Sequence, residues 1–415
     1  MRAVFKKLLK DAKGNVLMLG GAGAIALVGG AGLGVDTVQW YLWKRQLQQS
    51  VDSGALAGGQ AKAQGTDFRT YAAKEVNRNA NTAITVVRIA NAPATGAYTA
   101  DSAAVEVVAT TRQPLPFSSV FLDAAPTLSA RAVATTVIDG EHCLISLAPN
   151  GIGVNVSGSA DVQLGCGVSA NSADPSSISV GGSSYLQASP LSAVGGISYS
   201  SASLAGGTTI QPYGVEQSDP IASRNLAVPA NPAGCTASNL SVNPHNTQTI
   251  SPGRYCNGIN VRGTLIMNPG VYILDEGTFL ANSQAEIIGE GVTIILTGAN
   301  PNKVANLEFR GGSEIDLRAP TKLEDASWYN ILIFQDPTAN FPESKLNGGS
   351  DLSMEGVVYM PRGDVTINGS SAQQAQCLLM VVYRADINGN ADLQNNCPTD
   401  YDDLDLGARI VRVVE

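Results

Sequence analysis

Eight charged side chains in the second half of the chain have the types needed to cleave polysaccharides. Glycoside-cleaving enzymes use paired carboxylates, with arginine or lysine placed nearby. The candidates are Asp275, Glu276, Asp316, Arg318, Arg362, Asp364, Arg384 and Asp386. They lie at predicted strand ends and turns, which is also typical of solvated sheet edges. We therefore expect no catalytic residue and predict that the protein is not an enzyme.

Four of these residues form two Arg-x-Asp pairs with the same spacing. Arg362 and Asp364 are two positions apart, as are Arg384 and Asp386. We interpret both sets as surface ion pairs, each worth up to roughly 1 kcal/mol.

The six cysteines fall into three pairs that are close in sequence. They are Cys143 with Cys166, Cys235 with Cys256, and Cys377 with Cys397, separated by 23, 21 and 20 positions. Proximity favours this pairing, and each disulfide would stabilise the fold by roughly 3 kcal/mol in the chain-entropy model. The alternative, six reduced buried thiols, fits an oxidising compartment less well.

The sequence offers few ligands for a metal. No cysteine pair has Cys-x-x-Cys spacing, and the only histidines are His142 and His245, so we expect no zinc site. Carboxylates that could bind Ca²⁺ cluster near the C-terminus at Asp400, Asp402, Asp403 and Asp405. They lack the glycine turn and terminal glutamate of an EF-hand loop, so we interpret them as a solvated linker. We predict neither a metal nor a cofactor.

The start of the chain has the pattern of a membrane-spanning helix behind a basic leader. Residues 1–14 carry five lysine or arginine side chains, and residues 15–35 carry no formal charge. A hydrocarbon core roughly 30 Å thick needs about 20 helical residues, so this run is long enough to cross. Asp36 ends the run. Aromatic side chains follow where lipid headgroups would lie: Trp40, Tyr41 and Trp43.

Charge then predicts the orientation and the compartment. The positive-inside rule places the N-terminus in the cytoplasm of a single-pass inner-membrane protein, with the bulk of the chain periplasmic or extracellular. The net charge is -9 and the basic residues concentrate in the leader, so nucleic acid is not expected as a partner. A cleaved signal peptide and a buried core helix are the alternatives, but the helical pattern continues past Asp36 and the flanking residues suit a membrane.

The helical pattern continues from residue 36 to about residue 74 as an amphipathic stalk. Its apolar positions recur mainly at three- and four-residue steps: Val38, Leu42, Leu47, Val51, Ala55 and Leu56. Gly54, Gly58 and Gly59 are expected to weaken this stalk. Within the uncharged run, Gly30 and Gly34 form a small-x-x-x-small pair that would let another helix approach closely.

The N-terminal region resembles a known family. Lys13-Gly14-Asn15-Val16, the Gly/Ala-rich apolar run, Gly34-Val35-Asp36, Arg45-Gln46-Leu47-Gln48 and Ala55-Leu56-Ala57 are similar to the N-terminal module of TadE/TadG-like Flp/Tad pilus-assembly proteins. The resemblance is dense over residues 13–60 and weaker over residues 104–137. It implies a membrane-anchored component of a bacterial pilus-assembly or envelope apparatus, whose partners are membrane lipid and other pilus or envelope subunits.

Two departures limit what the resemblance implies. Leu19 occupies the position at which processed pilin-like members have glutamate, so we expect the leader to be retained. Asp174-Pro175-Ser176-Ser177-Ile178 lacks the final serine of the metal motif that many TadG-like proteins carry. We therefore do not transfer a metal site to this chain.

The chain beyond the stalk is predicted to be mainly β. We divide it into the leader (1–14), the membrane helix and stalk (15–65), a small α/β collar (66–138) and a large head (139–415). The collar has a helical pattern at 68–76 and strand patterns at 83–89, 104–110 and 130–138. The last residues, 409–414, alternate in a way that suits an edge strand.

The head repeats short aliphatic and β-branched runs between small turn residues. These runs lie at 151–156, 162–164, 177–180, 265–267, 271–274, 285–288, 292–296 and 314–317. Residues 357–369 are echoed by 381–389, and turns recur about every 20 residues. A period near 20 without helices predicts a right-handed parallel β-helix, with a loop at 319–327 and 335–345 bulging from one coil. A β-sandwich, with strands about every 8 to 12 residues, is the alternative.

Three functions remain from the sequence. The first is a structural or assembly component of a Flp/Tad-type apparatus with an extracytoplasmic β-helical head. The second is a membrane-tethered adhesin or carbohydrate-binding protein, with a surface glycan as its ligand. The third is a polysaccharide-active enzyme. Exposed aromatic residues along the coils would favour the second, and converging carboxylates would favour the third.

Overall fold

The protein consists of two compact units. A computed structural model describes residues 15–415, apart from 231–233, 348–350, 370–371, 376, 391, 396–403 and 405. Within these residues the fold is mainly β, with a long apolar helix on the N-terminal side. Unit 1 comprises the chain up to Thr136 together with Val411–Glu415, and unit 2 comprises Val137–Ile410. The last five residues, predicted to lie in the head, therefore belong to unit 1.

Unit 1 combines two helices with an antiparallel sheet. Its elements are α1 (Asn15–Ala63), α2 (Phe68–Arg78), β1 (Ile84–Ala90), β2 (Val105–Arg112) and the first part of β3 (Thr127–Ser146). β2 pairs antiparallel with both β1 and β3. The chain ends beside β3, where the backbone N–H of Val133 donates to the Glu415 carbonyl oxygen.

The predicted stalk is divided into two helices. α1 ends at Ala63 because Gly65 adopts a left-handed backbone, with φ of +68°, and its N–H returns to the Lys62 carbonyl oxygen. Asp67 then caps α2 by accepting a hydrogen bond from the Arg69 N–H. The expectation of a continuous helical pattern to about residue 74 was therefore wrong at this turn.

One face of the stalk packs into the core of unit 1. Leu47, Val51 and Ala55 are fully buried there, as their spacing predicts. The other three predicted positions are exposed: Val38, Leu42 and Leu56. The contact stripe is completed by glycines instead of large side chains, so the apolar face was assigned too broadly from the sequence.

The stalk glycines allow close packing, whereas we expected them to weaken the helix. A Cβ atom on Gly54 would lie 2.3 Å from Val76 Cγ2, and one on Gly58 would lie 2.9 Å from Val105 Cγ1. Both distances are shorter than van der Waals contact, so α2 and β2 reach α1 because these positions lack a side chain. α1 continues through both glycines without a break.

Unit 2 is built from short strands. The second part of β3 begins it, and the strands of its first segment are β4 (Val154–Val156), β5 (Asp161–Leu164), β6 (Gly167–Ala170), β7 (Ile178–Val180), β8 (Tyr185–Gln187), β9 (Leu191–Ala193), β10 (Ile197–Tyr199) and β11 (Ile210–Gln211). These strands follow one another at short intervals along the chain, with turns between them.

The second segment of unit 2 is longer. Its strands are β12 (Ala237–Val242), β13 (Thr247–Ile250), β14 (Gly253–Val261), β15 (Thr264–Met267), β16 (Gly270–Asp275), β17 (Thr278–Ala281), β18 (Glu286–Glu290), β19 (Val292–Thr297), β20 (Asn306–Phe309), β21 (Glu314–Arg318), β22 (Ile331–Gln335), β23 (Glu343–Leu346), β24 (Asp351–Gly369), β25 (Ala372–Ala375), β26 (Cys377–Gly389) and β27 (Asp392–Asn395). A final strand, β28 (Gly407–Val413), leads into unit 1.

The strands of unit 2 stack in three parallel ladders. Ladder 1 runs β12–β14–β16–β19–β22–β24–β26–β3–β6–β9–β11. Ladder 2 runs β12–β14–β17–β20–β23–β24–β26–β4–β7–β10. Ladder 3 has two parts, β13–β15–β18–β21–β24 and β25–β27–β5–β8. Sandwich strands pair antiparallel, so this pairing disfavours the β-sandwich alternative.

The inward side chains of successive strands form columns through one core. In ladder 3, Leu265 pairs with Ile287, Ile287 with Ile315, and Ile315 with Leu352, and all four are buried. Neighbouring positions on the same strands alternate between buried and partly exposed. Each strand therefore buries its apolar side only because the strands above and below it do the same.

The order of strands in the stack differs from their order in the chain. β3, the first strand of unit 2, pairs with β26, one of the last. The first segment extends from this junction to β11, and the second segment begins at the opposite end with β12. Residues 212–230 and 234–236, which we call the return segment, therefore connect the two opposite ends of the stack.

Hydrogen bonds trace the path of the return segment. Its residues contact positions progressively farther along the stack: Gln217 with Asn171, Asp219 with Tyr359, and Arg224 with Tyr329. Ile221 is fully buried in the core on the way. The Cys235–Cys256 disulfide then ties the end of this segment to β14. The second predicted disulfide, Cys143–Cys166, is also formed, joining β3 to the residue before β6.

Some sequence expectations for the head need correction. Residues 343–345, predicted as part of a loop, lie in β23, in which the side chains of Ser344 and Leu346 are buried. The echo between 357–369 and 381–389 aligns at its end, where Ile367 pairs with Ile387. At its start the register is shifted, and Tyr359 pairs with Val381 instead of Tyr383.

Candidate functional site

The exposed surface of α1 is the most prominent apolar surface of unit 1. Its first half presents large exposed side chains: Met18, Ile25, Leu27, Val28, Leu33, Val35 and Val38. The segment Gly20–Ala63 is long and apolar enough to cross a membrane. A water-exposed surface of this size is unfavourable, so this half of the helix requires an apolar environment.

The glycines of this half-helix differ in what covers them. A Cβ atom on Gly30 or Gly34 would have no atom of unit 1 within 4 Å, so the predicted small-x-x-x-small pair is open. Gly32 is covered instead, since a Cβ atom there would lie 2.4 Å from the ring of Phe117. No local pattern distinguishes Gly32 from the neighbouring glycines, because its partner Phe117 lies far along the chain.

Asp36 is buried and fixes a distant loop to α1. Its carboxylate accepts hydrogen bonds from the backbone N–H of Phe117, at 3.0 Å, and from the N–H and hydroxyl group of Ser118. These groups form the N-terminal end of a single 3-10 turn, Ser118–Val120. A carboxylate at such an end satisfies N–H groups that would otherwise lack a partner. The sequence identified Asp36 as the end of the uncharged run but not this role.

The three predicted interfacial aromatic residues occupy two environments. Trp40 and Tyr41 are exposed, and they line a groove of ≈ 540 Å³ with Thr37, Lys44 and residues 127–129. Trp43 packs against the core of unit 1. The Lys44 ammonium group donates to the Ser129 carbonyl oxygen, which holds the side chain across the groove.

A charged cluster in unit 1 was not predicted. Glu106 is buried; it forms an ion pair with Arg88, 3.0 Å away, and accepts a hydrogen bond from Arg131 at 2.7 Å. Arg131 also lies 2.7 Å from the side chain of Glu415, and this hydrogen bond holds the pKa of Glu415 below its usual value. The cluster joins β1, β2, β3 and the C-terminus, so it secures the sheet of unit 1.

The eight carboxylate and arginine candidates of unit 2 are distributed along the stack. Each of the following has its own local partner: Asp275 with Arg254 at 2.7 Å, Glu276 with Lys303 at 3.6 Å, Arg318 with Glu324 at 2.9 Å, and Asp386 with Asn155 at 3.1 Å. Hydrogen bonding to Arg318 lowers the pKa of Glu324 to about 2. Asp316 lies on β21, in ladder 3.

The two predicted ion pairs form differently from our expectation. Asp364 pairs with Arg384, 3.9 Å away on the next strand, because these positions are in register. Burial raises the pKa of Asp364. Arg362 lies instead over the ring of Phe341, 5.5 Å from its centroid. The expected pairing of Arg362 with Asp364, and of Arg384 with Asp386, was therefore wrong.

These residues belong to an aromatic and basic patch on unit 2. Phe341, which is 44% exposed, packs against Tyr383 with ring centroids 4.6 Å apart and ring planes tilted by 51°. Arg384 lies over the Tyr383 ring, 4.8 Å from its centroid. We call Phe341, Tyr383, Arg362, Arg384 and Asp364 the Phe341 patch. Its flat rings and flanking charged groups could bind a planar or sugar-like ligand.

The two histidines lie in different environments. His142 is buried, its Nε2 lies 3.2 Å from the Ser192 hydroxyl oxygen, and burial lowers its pKa to about 4. His245 is exposed. Among the residues that the structure describes, no group of three or more metal-ligating side chains is found. The aspartates at 400, 402, 403 and 405 and the predicted Cys377–Cys397 disulfide lie outside the described side chains.

Comparison with protein families identifies the N-terminal region. Residues 14–61 match the family model described as putative Flp pilus-assembly TadE/G-like. The match covers almost all of α1, so the resemblance noted over residues 13–60 is confirmed there. Searches of curated proteins and of solved structures found no match.

The family match and the long apolar helix together suggest a membrane-anchored protein. The chain carries a TadE/G-like domain whose helix can span a bilayer, which indicates a Flp/Tad pilus-associated component. The weaker resemblance over residues 104–137 lies outside the matched range and stays a prediction.

Proposed function

We propose that the protein is a membrane-anchored structural or assembly component of a Flp/Tad-type pilus or envelope apparatus. The observation that supports this proposal is that the family match and the two differently packed halves of α1 fall in the same range of residues. The range matched by the TadE/G-like model, 14–61, contains both the exposed apolar half of α1 and the half packed into unit 1. The matched module is therefore an anchor joined rigidly to a folded unit.

The proposed orientation places the N-terminus in the cytoplasm, and it places unit 2 and the part of unit 1 that follows the membrane-spanning half of α1 outside the inner membrane. The basic leader precedes the apolar run, as the positive-inside rule requires. The disulfides Cys143–Cys166 and Cys235–Cys256 support an oxidising, extracytoplasmic location for unit 2.

Unit 2 is proposed to be a right-handed parallel β-helix that acts as a rigid, non-catalytic head. Three parallel ladders support this, with an offset of 20 positions where Ile367 pairs with Ile387. The eight candidate residues mostly have separate local partners, as solvated edges of a stack would. The head would present its surface to other envelope subunits.

The proposed partner surface within the membrane is the face of α1 that carries Gly30 and Gly34. Both positions are open, and small residues at four-residue spacing let another helix approach closely. Gly21 provides a matched control, since it is equally open and lies about 180° around the helix from Gly30 at 100° per residue.

A test of this proposal replaces Gly30 and Gly34 together by Leu and compares piliation with that of Gly21→Leu. We expect the double variant to accumulate in the membrane at wild-type levels and to lose pili, because its bulk blocks the approach of a partner helix. The Gly21→Leu cells should remain piliated. Wild-type piliation in the double variant, or in cells lacking the protein, would contradict the proposal.

The Phe341 patch favours a second function, a membrane-tethered adhesin or carbohydrate-binding protein. Adjacent aromatic rings flanked by arginine and aspartate side chains suit a surface glycan. In a glycan-retention assay with bacterial surface polysaccharides, Phe341→Ala should reduce binding while Tyr199→Ala, at another exposed aromatic residue, should not. Equal retention by wild type and Phe341→Ala would remove this second candidate.

A further inference from the structure

A second apolar surface of unit 1 lies on the loop between β2 and β3. Val120 and Phe121 are each 75% exposed, and Leu122 is 49% exposed. Residues 113–122 contain no formally charged side chain. Adjacent large side chains exposed to this extent mark an interaction site on a soluble surface. We call residues 115–122 the apolar loop.

The position of the apolar loop along α1 is fixed by Asp36 and Gly32. The hydrogen bonds from Phe117 and Ser118 hold the loop at Asp36, where the uncharged run of the helix ends. The Phe117 ring covers Gly32, which is four residues, or about 6 Å, farther into that run. Phe121 lies beside this ring, with centroids 5.8 Å apart. The loop is therefore level with the uncharged helix and not with the stalk.

The backbone N–H groups of the apolar loop from Phe117 to Leu122 are hydrogen-bonded within unit 1. The N–H of Ser118 donates to Asp36, and the following N–H groups donate to carbonyl oxygens of the loop itself: Ser119 to Leu115, Val120 to Phe117, and Phe121 and Leu122 to Ser118. Pro114 and Pro116 have no N–H group. Irregular backbone is excluded from lipid mainly by unsatisfied polar groups, and this loop satisfies the N–H groups from Ser118 to Leu122.

We propose that the apolar loop inserts into the membrane beside α1, with Val120, Phe121 and Leu122 in contact with lipid. This inference rests on the proposed membrane crossing of α1. The occupant of the surface is the bilayer because the loop continues the exposed apolar surface of the helix at the same level. Unit 1 then contacts the membrane at two places, which restrains its rotation about the α1 axis.

The test measures the depth of a spin label in liposomes that contain the purified full chain and no other protein. Phe121→Cys is labelled with a nitroxide, and its collisions with O₂, which concentrates in lipid, are compared with collisions with a water-soluble nickel chelate. Leu27→Cys reports on the helix, and unsubstituted protein treated identically gives the background. Val87→Cys is the matched control because Val87 is also exposed and apolar, and lies on β1.

Val87 should remain in water because of its place in unit 1. β1 packs against α2, which meets α1 at Gly54, 18 residues beyond Asp36 and thus about 27 Å along the helix. We expect the Phe121 label to collide more with O₂ than with the chelate, as the Leu27 label does, and the Val87 label to do the opposite.

Two other outcomes would overturn the inference. One contradicts only the insertion of the loop, and the other also contradicts the membrane crossing of α1. If the Leu27 label lies in lipid but the Phe121 label collides mainly with the chelate, α1 crosses the membrane and the loop does not insert. A protein partner would then be the occupant of the loop. If the Leu27 label also lies in water, the proposed membrane crossing fails and the inference fails with it.

Discussion

Unit 1 buries one face of a single long helix, whereas unit 2 buries short strands against similar strands one layer away in the stack. In unit 1, contacts from α2, β2 and the chain end converge on a stripe of glycines and small side chains of α1. In unit 2, the core is a set of columns distributed along the whole stack. Burial is thus concentrated around one helix in unit 1 and distributed along the stack in unit 2.

This difference predicts how each unit responds to damage. A substitution on the α1 stripe displaces every element that packs on it, while one in a column affects the layers next to it. The exposed surfaces of the two units also differ. In unit 1, exposed apolar side chains lie on α1 and on the apolar loop. In unit 2, the exposed side chains that we describe are mainly local polar pairs and the Phe341 patch.

The largest expected effect is the loss of a column side chain in unit 2. Phe279 is fully buried and packs edge to face on Phe309, with centroids 5.8 Å apart. Phe279→Ala should lower the free energy of unfolding of unit 2 by about 3 to 5 kcal/mol, because it leaves a cavity. Hydrogen exchange in the detergent-solubilised full chain should show faster exchange in β17 and β20 and unchanged exchange in β2.

Leu323→Ala is the control for this prediction, because Leu323 is fully exposed in unit 2. It should leave exchange in all of these strands unchanged. Equal acceleration in β2 and in β17 after Phe279→Ala would show that the two units do not unfold separately and would break the comparison.

The next effect is a difference in how the units respond to acid. Burial lowers the pKa of His142 from 6.5 to about 4, so the unfolded chain binds a proton there before the folded chain does. Stability from this group is fully present above pH 6.5 and is lost progressively as the pH falls to about 4. The total loss in unit 2 should be roughly 3 kcal/mol.

Unit 1 should weaken only at lower pH. The pKa of Glu415 is held below 4.5 by Arg131, so its stabilising contribution is present above pH 4.5 and is lost below that value. When the free energy of unfolding is measured in urea at a series of pH values from 7 down to 4, unit 2 should therefore lose stability before unit 1 does. His142→Gln should flatten this dependence, and His245→Gln, at an exposed position, should not. A parallel loss of stability in both units above pH 5 would contradict the account.

The smallest effect concerns glycines within one helix. Gly54→Ala places a Cβ atom 2.3 Å from Val76 Cγ2 and should destabilise unit 1 by about 1 to 2 kcal/mol, after allowance for the better helix propensity of alanine. Gly34→Ala meets no atom within 4 Å and should cause no loss. Thermal unfolding of both variants in the same detergent checks this, and equal destabilisation would show that packing is not the cause.

Much of the local structure was predictable because it depends on neighbouring residues. The uncharged run, the buried Leu47, Val51 and Ala55, and most short strands of unit 2 follow from spacing along the chain. Turn residues and β-branched runs fix strands locally, and the repeat near 20 residues indicates that they stack. The pairing of Cys143 with Cys166 and of Cys235 with Cys256 follows from the same closeness.

What could not be predicted depends on residues far apart in sequence. The hydrogen bond from Phe117 to Asp36 spans 81 positions, and no local pattern marks either residue as a partner. The pairing of β26 with β3 likewise places the last strands of unit 2 beside the first. A repeat predicts that strands stack. It does not predict that the first and last strands of unit 2 pair in the middle of the stack, with β11 and β12 at its two ends.

The central claim is that an uncleaved α1 anchors the protein in the membrane, and cell fractionation with analysis of sheared pili tests it most directly. Antibodies to unit 2 locate the chain, and mass spectrometry of its peptides shows whether residues 1–45 are still attached. We predict full-length protein that stays in the membrane pellet after alkaline carbonate extraction. A chain that begins beyond Trp43 and is found free in the culture supernatant would contradict the account.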